Sequence, residues 1–79
     1  MAARTVAEDM TRLNLHVKAR LRQEGITQQQ VAERVGEHLS TFRDHLRPNG
    51  GVLTLVEYFA IAEMLGIGPD ELWPPEDEA

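Results

Sequence analysis

His38 and His45 stand seven residues apart, close to two turns of a helix, so both could share one helix face. Two imidazoles on one face are half of a zinc site. The other half must come from cysteine, histidine or carboxylate, because structural zinc takes four ligands. The chain has no cysteine, and spacing alone sets no third and fourth ligand on that face. The expectation is no metal. Other reactive constellations are equally scarce. No Ser-His-Asp set, no carboxylate pair and no phosphate-binding loop is visible. A chain of 79 residues makes one domain, which buries only about 60% of its unfolded surface. That leaves little room for a deep catalytic cavity. The residues argue against an enzyme and call for no cofactor.

Charge is more informative. The net charge is −5, and all eight Lys and Arg residues lie at or before Arg47. That half also holds six acids, which makes it +2; from Pro48 onward there are seven acids and no base. Such a split suggests two faces with different tasks, one basic and one acidic. No apolar run approaches the roughly 18 residues that span a membrane. The opening MAARTVAEDM lacks the long apolar core of a secretory leader. With no cysteine to oxidise, a cytoplasmic location is expected.

The elements that must carry these side chains are all helical. Val6, Met10, Leu13, Val17 and Leu21 form one apolar stripe, which predicts a helix from about Val6 to Gln23, stopped by Gly25. Thr27-x-x-Gln30 is a capping box, and a second helix runs from it to Gly36 with Val31, Ala32 and Val35 inward. A third helix lies between about His38 and Arg47, with Leu39, Phe42 and Leu46 on one face. Arg47 to Gly51, RPNGG, is turn chemistry. Thr54-x-x-Glu57 caps a fourth helix that runs through Leu65. Its core face reads as Leu55, Phe59, Ala62 and Leu65, with Tyr58 and Ile61 at the edges. Pro69 opens a short fifth helix anchored by Leu72 and Trp73. The sequence thus predicts an all-α, compact five-helix bundle over residues 1–73, followed by an acidic tail, 74–79, without fixed structure.

The second and third helices are joined by so few residues that they must cross steeply. Ala32 is small enough for a close crossing. Gly36 permits a turn with positive φ, and Phe42 can pin the third helix from behind. Small residue, glycine four later, bulky apolar residue six after that: this is the spacing of a helix-turn-helix, in which the second helix of the pair enters the DNA major groove.

The stretch GITQQQVAERVG, Gly25 to Gly36, resembles the Gly-aliphatic-Thr-Gln…Ala-Glu-x-aliphatic-Gly signature of the Xre/Cro-type helix-turn-helix regulators, the family of phage repressors. LVEYFAIAEMLGIGPDELW, Leu55 to Trp73, is similar to that family's closing pattern. The resemblance covers about Val17 to Trp73. It implies a lambda repressor-like fold, double-stranded DNA as the partner and a homodimer on DNA. Carried onto these positions, it places Gln28 near phosphate and names His38, Leu39, Ser40, Arg43 and Asp44 for base readout, with Thr41 and Arg47 flanking. Arg43 suits guanine, whose O6 and N7 match a guanidinium fork. Leu39 is claimed both by the core stripe and by the groove. Three positions depart from the pattern. Glu37 and His45 stand where apolar residues are usual, and His38 stands where Ser or Thr caps the recognition helix.

Two functions follow as expectations. One is a sequence-specific DNA-binding transcriptional regulator, Cro- or repressor-like. The alternative is a helix-turn-helix scaffold for protein–protein contacts, such as an anti-repressor or accessory subunit, with its partner on the acidic C-terminal half. Asp44 on the reading face and the net charge of −5 favour the second.

Overall fold

The computed structural model describes residues 3–75, and within them every regular element is helical. Helix α1 spans Val6–Gln23, α2 Gln28–Val35, α3 Leu39–His45, α4 Leu55–Leu65 and α5 Pro69–Leu72. Three of the five starts are closed by reciprocal capping boxes. Thr27 accepts from the Gln30 amide while Gln30 reaches back to the Thr27 amide. Thr54 and Glu57 do the same for α4. Thr5 and Glu8 do it for α1, a box of the same spacing that the apolar stripe had overshadowed. Each box satisfies two amides that a helix start leaves without partners.

One core joins all five helices. Leu13, Val17 and Leu21 come from α1, Val31 and Ala32 from α2, Phe42 from α3 and Leu46 from its C-cap, Ile61 and Ala62 from α4, and Leu72 from α5. α2 packs on both α3 and α4, and α4 on α5. Ala32 is wholly buried. Its carbonyl accepts from both the Gly36 and Glu37 amides, at 2.8 and 3.0 Å. Gly36 takes φ 88° and ψ 33°, a left-handed conformation that turns the chain sharply after α2. A Cβ at Gly36 would meet nothing within 4 Å, so the demand for glycine there is purely dihedral.

The loop after α3 makes a different demand. A Cβ on Gly51 would lie 2.4 Å from the Arg47 carbonyl oxygen and 2.7 Å from that of His45, so backbone packs where a side chain would stand. Asn14, fully buried on α1, explains that closeness. Its Nδ2 donates to the carbonyls of Arg47 at 2.8 Å and Gly51 at 2.9 Å. The amide draws the end of the α3 segment against α1.

Four expectations are corrected. α4 is rotated: Leu55 is 74% and Phe59 52% exposed, while Ile61 and Glu57 have no exposed surface. This helix is apolar nearly all round, so its period leaves the choice of face open, and a glutamate in the alternative face hides it. Leu39 is only half-buried and lies outside the core, because the first turn of α3 extends past the packed region. Val6, in the first turn of α1, is exposed for the same reason. Trp73 stays partly exposed, while the packed chain continues to Pro74, which is buried, and Pro75, whose carbonyl accepts from Arg12 at 2.7 Å. Residues 76–79 of the expected acidic tail lie outside the described residues.

The rotation of α4 has a direct consequence for stability. Ile61→Ala should cost about 2–5 kcal/mol by leaving a cavity, and Leu55→Ala should stay within about 0.5 kcal/mol. Urea unfolding of both variants checks the assignment. Equal losses would restore the face read from the sequence.

Candidate nucleic-acid interface

α3 presents its outer side over two shallow grooves. One, of about 500 Å³, is lined by Lys18 of α1, Thr27, Gln28 and Gln29 at the start of α2, and Leu39, Arg43 and Arg47. The other is lined by Leu39, Ser40, Arg43, Asp44 and Arg47. The structure therefore brings together six of the eight residues named from sequence: Gln28, Leu39, Ser40, Arg43, Asp44 and Arg47. His38 and Thr41 are exposed but line neither groove. Leu39 lies at the rim that both grooves share, which places it toward the groove rather than the core.

Charge on this surface is mixed. Arg47 Nε lies 3.2 Å from Asp44 Oδ1 and also donates to the Asp44 carbonyl at 3.3 Å. Asp44 thus holds Arg47 against α3, and each charge offsets the other. Arg43 and Lys18 have no ion-pair partner among the described residues. Two cations with open hydrogen-bond capacity flank the glutamines at the start of α2, whose first amides point outward. Lys18 was missed by sequence reasoning. Its signal was its place off the apolar stripe of α1, but which side of that helix meets α2 is a tertiary fact.

The histidines part company. His38 is the exposed N-cap of α3 and makes no side-chain capping bond. His45 turns inward, where Nδ1 donates to Glu57 Oε2 at 2.7 Å. The other Glu57 oxygen, Oε1, accepts from the Thr54 amide at 2.7 Å and closes the α4 capping box. Glu37, in the turn between α2 and α3, faces the same carboxylate. Two positions that depart from the family-like pattern, Glu37 and His45, therefore meet at a third polar residue that the pattern does not mark. Ligand-capable atoms of Glu37, His45 and Glu57 all lie within 4.8 Å of one another. They form the group among the described residues with metal-ligand chemistry, and none of the pairings was visible from spacing.

Their protonation follows from this contact. Glu37 Oε2 is sealed from solvent and has no donor partner when both glutamates are ionised. A proton on Glu37, donated toward Glu57, relieves that, and burial and the Glu57 charge act in the same direction. Together they push the Glu37 carboxyl up to about 7, against the opposing field of His45. The hydrogen bond to Glu57 raises the His45 imidazole despite the opposing effect of burial. Glu57 itself is raised by burial. Its bonds from Glu37, the Thr54 backbone and His45 outweigh that and leave it lowered.

The two raised groups act alike. Each binds its proton more tightly folded than unfolded, so each contributes stability that is full below the unfolded pKa and lost as pH rises through the folded one. For Glu37 that window runs from the usual 4.5 to about 7; for His45 it starts at the usual 6.5 and extends above it. In the presence of a chelator, Tm should therefore fall as pH rises from 5 to 8 (about the span of both windows). Glu37→Gln, which keeps a donor and cannot ionise, should flatten the fall. Thermal melts across pH check this, and a Tm that rises over the interval would contradict it.

No protein-family model, no curated protein and no solved structure matches this chain, so the family resemblance rests on the quoted residues alone.

Proposed function

We propose that the chain is a sequence-specific DNA-binding transcriptional regulator, with α2 and α3 as a helix-turn-helix and α3 in the major groove. The observation that carries this reading is the convergence of Lys18, Gln28, Arg43 and Arg47 on one groove beside the exposed side of α3. Phosphate contacts set register, and base-edge contacts read sequence. Lys18, Gln28 and the start of α2 suit phosphate. Arg43 and Ser40, on the outer side of α3, suit base edges, and Arg43 is the candidate guanine reader. Asp44 aligns Arg47 as a phosphate partner. The left-handed Gly36 and the buried Ala32 support the crossing that a helix-turn-helix requires.

The molecule's net charge of −5 works against long-range attraction to DNA, and the local positive charge of this reading comes from Lys18, Arg43 and Arg47. A homodimer would double the contacts and read a two-fold site. Val52, Leu55, Val56 and Phe59 are exposed apolar side chains on and before α4, and they offer a surface for the second copy. The same surface favours the alternative reading, a scaffold that binds another protein and not DNA.

Selected-site binding on random duplex DNA separates the two. The wild type should enrich one two-fold motif. Arg43→Ala should leave the melting curve within about 0.5 kcal/mol and lose about 1–3 kcal/mol of discrimination at one symmetric pair of positions. A dimer making about 6 phosphate contacts should also lose roughly a thousandfold in affinity between about 50 and 200 mM salt. No enriched motif, or affinity indifferent to salt, would leave the scaffold reading in its place.

A further inference from the structure

We propose that Glu37, His45 and Glu57 form a binding site for one divalent transition-metal ion of the zinc class, which clamps the α2–α3 turn, the last turn of α3 and the first turn of α4 together. The proposal stands on these three side chains and is independent of DNA binding.

Geometry comes first. Three ligands from three separate segments already converge, with their ligand atoms inside 4.8 Å. Tetrahedral zinc with bonds near 2.0–2.1 Å sets its ligand atoms roughly 3.3 Å apart. The His45 Nδ1 to Glu57 Oε2 separation of 2.7 Å is shorter than that because a proton sits between them. A metal there opens this pair by about half an ångström and draws in ligand atoms that now lie as far as 4.8 Å apart by up to about 1.5 Å. His45 keeps about a third of its side chain exposed, at 31%, so the cluster lies close to the solvent from which an ion and a water as fourth ligand would come.

Charge is the second and independent observation. Glu57 has no exposed surface, and Glu37 Oε2 is sealed with no partner unless a proton joins it to Glu57. Among the described residues no Lys or Arg pairs with either carboxylate. Two facing carboxylates outnumber the one imidazole that can carry positive charge beside them, and buried charges of one sign require a counter-charge. In the metal-free chain a proton must serve. A divalent cation serves better, because it meets all three groups at once. The proton that His45 directs at Glu57 and any proton on Glu37 pass to solvent as the metal binds. The imidazole selects zinc and its first-row neighbours over Mg²⁺ and Ca²⁺, which prefer all-oxygen shells.

The test uses the full chain, stripped with chelator and then given Zn²⁺ or Mg²⁺ at neutral pH. Calorimetric titration should show one Zn²⁺ per chain. At a hundredfold excess over its Kd, zinc should raise Tm by roughly 10 °C, and Mg²⁺ should not. Glu37→Gln preserves the hydrogen bond to Glu57 and so should fold at least as well as wild type without metal. It should nevertheless lose zinc affinity by about tenfold or more. His38→Asn, on the exposed N-cap, should bind zinc as wild type does. His45→Asn should abolish the response; if it fails to fold, Glu37→Gln still decides. A wild type that shows no zinc-dependent Tm shift overturns the site. So does an equal shift in wild type and Glu37→Gln, or loss of the response in His38→Asn, since each would put the ion elsewhere.

Discussion

A glutamate with no exposed surface ties the start of α4 to both ends of α3. One oxygen of Glu57 closes the start of α4 through the Thr54 amide. The other takes the His45 imidazole at the end of α3. The same carboxylate faces Glu37 in the turn that begins α3. An apolar residue at position 57 could pack, but it could not fix the rotation of α3 from both ends. A buried carboxylate is costly unless its lone pairs are filled. The arrangement that fills them is the one that sets the outer side of α3 toward solvent. Asn14 acts in the same sense one layer away, holding the backbone of Arg47 and Gly51 by its two donated bonds.

The orientation of the outward surface is thus a by-product of inward polar contacts. Phe42 and Leu46 supply the apolar burial of the α3 segment, and His45 between them supplies its register. What remains outside is Ser40, Thr41, Arg43, Asp44 and Arg47. A helix of only seven residues has little stability of its own. Its precision must come from what grips it, and here the grip is partly ionic. A surface meant to match a partner gains from such rigidity, because less ordering is left for the binding step.

Much of the architecture was legible in the sequence because it rests on local chemistry. The stripe of α1, the capping residues Thr27 and Thr54, and the glycines at 36 and 66 act within a few residues of themselves, so spacing reveals them. What was hidden is tertiary. Glu57 looked like a capping residue and nothing more, since its second oxygen serves a histidine twelve positions earlier. The face of α4 was misjudged because that burial of a charge runs against every hydropathy pattern. Asn14 was passed over as one polar residue beside an apolar stripe. Lys18 could be placed on a helix but not beside Gln28. The residues on the outer side of α3 were named through the family resemblance; the apolar spacing of that helix marked Phe42 and Leu46 as inward but claimed Leu39 with them.

Contact of α3 and the start of α2 with DNA is a proposal open to NMR. Amide chemical shifts of the ¹⁵N-labelled protein, followed while a random-sequence duplex is added at low salt, test it most directly. The amides of Gln28 and Gln29 and those from Ser40 to Arg47 should move first and furthest, with that of Lys18 beside them. No shift at Gln28, Gln29 or from Ser40 to Arg47 would contradict it.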